Sequence, residues 1–182
     1  DLVDHDVTGN LELVGGPGRG RGGEEPVALS SRRAAAEDVI DGLRGELSIG
    51  LHRDVEVTDV VAERRRLVSQ AFCSALPVGY SSLRSKDWAP FARLVLEATY
   101  EATLLAAAEQ AAGGGSNIVL LTRVGGGAFG NDDVWIGSAI ERALGVVVDA
   151  GLDVRVVGYR GVAPGVEDII DRWVKRSMDG ER

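Results

Sequence analysis

Two stretches of the chain carry residue types that can do chemistry. The first is GGGAFGNDD, Gly125–Asp133. Successive glycines let a backbone approach a ligand closely and turn several amides toward one point. A helix opens at about Asp132, and its N-terminus adds partial positive charge to those amides. The combination suits a phosphate or diphosphate held by Gly125, Gly126, Gly127, Ala128, Phe129, Gly130 and Asn131. The plain alternative is a tight strand-to-helix turn, although three successive glycines exceed what a turn requires. Asp132 and Asp133 stabilise a helix start but repel an anion. They must point away from it or bind sugar hydroxyls.

The second stretch is HRDVEVTD, His52–Asp59, the densest polar cluster in the chain. Asp54, Glu56 and Asp59 can accept hydrogen bonds from ribose hydroxyls or orient a water for attack at an anomeric carbon. Glycosidic cleavage through an oxocarbenium-like state needs such an acceptor and often a carboxylate base. In an extended segment Asp54 and Glu56 share one face, with Asp59 opposite. The plain alternative is a solvated loop with a Thr/Asp cap. His52 has only His5 to join it, which argues against a His-based metal cluster, and no metal is expected. Carboxylates alone can still hold Mg²⁺ or Ca²⁺. Cys73, the single cysteine, falls in a predicted buried strand and reads as inert packing. Trp135, in the first turn after the glycine loop, either covers an adenine or anchors its helix.

The elements that must position these residues follow from periodicity. Residues 1–26 are loop-rich. LELV, Leu11–Val14, is strand-like, and GGPGRGRGG holds six Gly and one Pro in nine residues. A helix capped by Ser30 or Ser31 carries Val39, Ile40, Leu43 and Leu47 at helical spacing, and Gly50 breaks it. Leu51–Asp59 reads as a loop with a possible edge strand, and Arg64–Arg66 as a solvated basic face. Leu67–Val78 reads as a buried strand ending at Pro77. Trp88–Ala112 is a long helix, mostly apolar, with one polar stripe of Arg93, Glu97 and Glu101. Ile118–Val124 is a second buried strand, which runs into the glycine loop. The next helix has an apolar stripe of Ile136, Ala139, Ile140, Ala143, Leu144 and Val147, with Asn131 or Asp132 as cap and Gly151 as stop. Asp153–Tyr159 is a third strand. Pro164–Arg176 is a final helix with Ile169, Ile170, Trp173 and Val174 on one face.

This alternation predicts an α/β fold with a mainly parallel or mixed sheet and helices on both faces. Ligands in such folds sit beyond the carboxyl ends of the strands. The chain has 182 residues, 45% apolar and 26% charged, which fits one soluble globular domain over 1–182 and excludes global disorder. No apolar run approaches a membrane span and no signal peptide is visible, so a cytoplasmic protein off the membrane is expected. The first residue is Asp, which suggests a fragment or a processed form. The net charge of −8 argues against nucleic acid as a partner.

The loop satisfies G-x-G-x-x-G at Gly125, Gly127 and Gly130, which raises a Rossmann dinucleotide fold as an alternative. The motif lies far into the chain, and the following strand ends in Tyr159 and Arg160 rather than an acidic residue. Only 22 residues follow Arg160, too few for the remaining strands of such a unit. No Walker A lysine follows the loop.

The C-terminal half resembles a macro domain. QAFCSALPVGY, Gln70–Tyr80, is similar to that family's strand ending in a Gly-Pro-x-Tyr-like turn, and GGGAFGN to its second ligand loop. The best-matched core is residues 68–160. The resemblance implies a three-layer macro-like fold, diphosphate contacts from Gly126 to Gly130, and Phe129 packed beside ribose or phosphate. The family's first ligand loop, an Asn-Ala-Ala-Asn run followed by Gly-Gly-Gly-Val, has no counterpart here. The departure is similar to a divergent branch of bacterial effectors that remove ADP-ribose from ubiquitin. The implied function is an ADP-ribosyl hydrolase acting on modified protein, ubiquitin among the implied partners, with Asp54 or Asp59 catalytic and Asp132 or Asp133 on ribose hydroxyls. No cofactor is required, and ADP-ribose is ligand or product. The alternative is a reader that binds ADP-ribose without turnover.

Overall fold

The computed structural model describes residues 25–58, 65–158 and 164–179. It divides into two compact units, residues 1–36 and 37–182. Of the first unit, residues 25–36 are described, and they open helix α1 (Glu25–Glu46). Pro26 fits a first helical turn, and Ala34, Ala35 and Ala36 are strong helix formers. The helix therefore begins ahead of Ser30. The Leu11–Val14 strand and the Gly15–Gly23 loop lie outside the described residues.

The second unit continues with the rest of α1, then β1 (Gly50–Glu56), β2 (Leu67–Phe72) and a 3-10 turn at Val78–Tyr80. Helix α2 (Ser85–Ala112), β3 (Ile118–Leu121), α3 (Asp133–Val146), β4 (Asp153–Val156) and α4 (Pro164–Asp179) follow. The general α/β expectation holds. Strands β1 and β2 pair antiparallel, with a bulge between His52 and Val55, while β3 and β4 pair parallel. The strands thus form two separate two-stranded sheets among the described residues, not one. β1 is the edge strand that its sequence allowed.

Several expected strands are shorter, for local reasons. β2 stops at Phe72 and is exposed along its whole length, so the buried strand expected to Val78 is corrected. Its β3-facing flank borders an open hollow of about 380 Å³, between Val68–Ala71 and Ile118–Leu120 with Thr103, Ala106 and Ala107 beneath. Burial begins only at Ala75 and Val78. β3 ends at Leu121 because the next residues turn, Val124 N–H donating to the Thr122 carbonyl. β4 ends at Val156, and Tyr159 and Arg160 lie outside the described residues. α3 ends at Val146, ahead of Gly151, which takes a positive φ just before β4.

The core forms where α2 and α3 pack on one face of β3. Leu96, Tyr100 and Leu104 meet Ile136, Ala139, Ile140 and Ala143, with Val119 and Leu121 beneath them. The apolar stripe expected for α3 is thus the buried face. The opposite face of β3 and β4 carries Ile118, Leu120, Asp153 and Arg155, all exposed. Helices α2 and α3 therefore share one face of this sheet, where helices on both faces were expected. α4 joins α3 by close approach, since a Cβ on Gly137 would lie 2.5 Å from Ile169 Cδ1. Ile170 and Val174 remain exposed.

Two residues of the polar stripe of α2 have partners. Glu97 accepts from Arg44 of α1 at 2.8 Å, and Glu101 accepts from Arg142 of α3. Asp41 accepts from both Arg44 and Arg142, which links all three helices. Burial opposes the Arg44 charge, but the bonds from Glu97, Asp41 and Glu37 outweigh it and raise its pKa above the ordinary value. Val39 and Leu43 of α1 are exposed despite their helical spacing. Among the described residues no helix is long and apolar enough to cross a membrane.

The one-sided packing of β3 gives a direct test. Leu121 is 3% exposed and Leu120 64% exposed. In denaturant unfolding, Leu121→Ala should cost about 2–5 kcal/mol, while Leu120→Ala should stay within about 0.5 kcal/mol.

Candidate functional site

The glycine loop lies between the end of β3 and the start of α3, where the sequence placed it. Its first anchor is Tyr100 in the middle of α2. The Tyr100 hydroxyl donates to the Thr122 carbonyl at 2.7 Å and accepts from Val124 N–H at 2.9 Å. This closes the chain just past β3 and sets where the glycines begin. Tyr100 is 1% exposed, and burial pushes its hydroxyl up to about 12, against the opposing Val124 amide.

The second anchor is Asn131, at 5% exposure. Its side-chain amide donates to Leu76 O at 2.8 Å and to Gly125 O at 3.3 Å, while its own N–H donates to Gly125 O at 3.0 Å. Asn131 is therefore a brace beneath the loop rather than the helix cap. The cap is Asp132, whose Oδ1 accepts from Val134 N–H at 2.8 Å. The Asn131 Oδ1 is buried and has no partner among the described residues.

The third anchor is the segment after β2. Gly79 N–H donates to the Phe129 carbonyl at 2.7 Å. A Cβ on Gly79 would lie 2.9 Å from Ala128 O, and one on Gly130 would lie 3.0 Å from Gly79 Cα. Neither glycine has room for a side chain. Gly125 is equally confined, with a φ of 77° and a Cβ position 2.4 Å from the Ala75 methyl. Phe129 is partly buried against the core and meets Tyr80 edge-on, ring centroids 5.9 Å apart. Trp135 is also packed against the core, which favours its role as a helix anchor.

With these anchors made, the loop keeps donor capacity. Gly126 N–H goes to Arg123 O and Gly130 N–H to Gly127 O. The N–H groups of Gly127, Ala128 and Phe129 have no partner among the described residues. A Cβ on Gly127 would meet nothing within 4 Å, so this stretch borders open space. Successive unpaired amides can donate to an anion where they point toward one place. The two flanking carboxylates are both engaged. Asp132 caps α3, and Asp133 pairs with Arg123.

Asp54 stands elsewhere. It sits in the β1 bulge with a φ of 54°. Asp tolerates that left-handed conformation better than most residues, so the bulge by itself explains an Asp here. Its N–H reaches Ser69 Oγ at 3.5 Å, and it lines the hollow between β2 and β3. That hollow also includes Gln110 and Ser116, at the C-terminal end of α2 and just before β3. The glycine loop leaves the other end of β3. The structure thus does not bring Asp54 to the glycine loop. Asp59 lies outside the described residues. Glu56 pairs with Arg65 at 2.8 Å, and His52 packs edge-on to Phe72.

A second hollow of about 380 Å³ lies further along β2 and β3, lined by Cys73, Tyr100, Thr103, Thr122 and Val124 among others. Burial pushes the Cys73 thiol up, against a hydrogen bond from Thr103, which suits a protonated packing residue. Among the described residues no three His, Cys, Asp or Glu side chains are grouped to hold a metal ion.

Sequence reasoning missed Tyr100, Gly79 and Arg123. Tyr100 looked like one apolar-face residue among many on α2. The signal for Arg123 was its place just ahead of the loop. No family profile, curated protein or solved structure matches this chain.

The Tyr100 anchor has a pH signature. The unfolded chain loses the tyrosine proton near 10, whereas the folded chain holds it to about 12. Between those values the folded state binds more protons, so this contribution to stability falls as pH rises through the window. Urea unfolding should show that loss in the parent. Tyr100→Phe should start about 1–3 kcal/mol less stable, with a shallower decline over the same pH range.

Proposed function

We propose that this chain binds ADP-ribose, its diphosphate lying against the glycine loop. The observation that carries this reading is the run of unpaired amides at Gly127, Ala128 and Phe129 beside the N-terminus of α3. The loop's contact with Gly79 brings together two motifs on which the macro-domain resemblance rests, QAFCSALPVGY and GGGAFGN. Carboxylates that would repel an anion are held by the α3 cap and by Arg123. ADP-ribose rather than a simple phosphate is the ligand that the resemblance implies.

The catalytic arm of the reading is an ADP-ribosyl hydrolase acting on modified protein, with Asp54 or Asp59 as base and ubiquitin among its substrates. Asp54 already has a role in the bulge and lies along the hollow rather than at the loop. Binding is therefore the part of the function that the geometry favours, and a reader without turnover is the second reading. A dinucleotide site of Rossmann type remains the outcome to test against.

Calorimetry checks the ligand. ADP-ribose should bind more tightly than AMP, and Gly127→Glu should abolish binding in a protein that still unfolds cooperatively. Unchanged affinity in that folded variant sinks the diphosphate assignment. Tighter binding of NADPH than of ADP-ribose would instead favour the Rossmann reading.

A separate assay decides catalysis. The hydrolase reading expects release of ADP-ribose from a modified protein, with Asp54→Ala or Asp59→Ala losing about 10²–10⁴-fold in turnover while ADP-ribose affinity is retained. Binding without release from Glu-, Asp-, Ser- or Arg-linked substrates makes the chain a reader.

A further inference from the structure

Among the described residues, Arg123 is a basic side chain that adjoins the glycine loop. Its guanidinium lies against Gly126, where a Cβ would be 3.1 Å from Nη2 and 3.3 Å from Cζ. Gly126 directly precedes the unpaired amides of Gly127, Ala128 and Phe129. Nη2 donates to Asp133, the first residue of α3. Nε is buried and has no partner among the described residues, so the guanidinium is only partly satisfied there. Asp133 has a side chain 57% exposed, so it can leave Arg123 and be hydrated without being stranded in the interior.

Carboxylate and phosphate oxygens make the same kind of charge-assisted bond to a guanidinium. We propose that Arg123 is the cationic contact for the ligand's phosphate, and that Asp133 is its intramolecular stand-in, which an incoming phosphate displaces. The inference rests on the reading of the loop as a diphosphate site and goes beyond it. It names the side chain that supplies positive charge and the one that competes for it. Affinity is then set partly within the chain, because binding must first break the Arg123–Asp133 pair. In a chain of net charge −8 such a local cation also offsets a field that opposes anions.

The test is calorimetry of ADP-ribose and of inorganic pyrophosphate at about 0.15 M salt. Variants are Arg123→Gln, Arg123→Lys, Asp133→Asn, and Asp153→Asn as a matched change of net charge on β4. Arg123→Gln should weaken both ligands about tenfold or more, and Arg123→Lys should fall between it and the parent. Asp133→Asn should tighten both roughly fivefold, as expected for removing one part-exposed ion-pair competitor, while Asp153→Asn leaves them unchanged. A merely structural brace predicts the reverse sign for Asp133→Asn, because losing the pair would loosen the loop. Weaker binding by Asp133→Asn, or parent-like binding by a folded Arg123→Gln, overturns the proposal and leaves the diphosphate site standing. Failure of both the parent and Asp133→Asn to bind either ligand overturns the diphosphate site and this inference with it.

Discussion

Gly79 and Gly130 lie far apart in sequence, yet a Cβ on Gly130 would press on the Gly79 backbone and one on Gly79 would press on the Ala128 carbonyl. Much of the candidate site depends on that close approach. It lets Gly79 N–H reach the Phe129 carbonyl and brings Phe129 against Tyr80. It also aligns Asn131 to bond Leu76 and Gly125 together. The loop is therefore held by hydrogen bonds that leave the N–H groups of Gly127, Ala128 and Phe129 without a partner among the described residues. The amides that remain unpaired belong to the stretch where Gly127 borders open space.

The same loop is tied to the core at one point. Tyr100 packs between the two helices that bury Val119 and Leu121, and its hydroxyl closes the turn after β3. A buried hydroxyl with both a donor and an acceptor role filled costs little to desolvate, and it transmits the position of α2 to the loop. The ion pairs from Glu97 and Glu101 then fix α1 and α3 against α2. Arg44 is 8% exposed in this network, so removing one of its carboxylate partners would leave a nearly buried charge less well compensated.

The acidic residues show how one residue type takes different roles by position. Asp132 ends as a helix cap and Asp133 as the counter-ion of Arg123. Asp54 relieves a bulge. Glu97 and Glu101 join helices. At the glycine loop both carboxylates are engaged, one by the helix start and one by an arginine.

From the sequence alone, local patterns determined what local forces control. The 3.6-residue stripe of α3 placed Ile136, Ala139, Ile140 and Ala143 in the core, and the strand-to-helix position of GGGAFGN was legible from β-branched residues, glycines and a helix cap. The spacing of Glu97 and Glu101 marked one polar face on α2 but not the arginines that meet it. Tertiary structure decided the rest. Strand pairing is non-local, so nothing in LVSQAF says that β2 pairs with β1 and leaves a hollow before β3. Nor does it say that α2 and α3 share one face of β3. The role of Asn131 depends on backbones that meet across a long sequence separation. The cost of a Cβ or an unpaired donor at these positions exists only after that meeting is made.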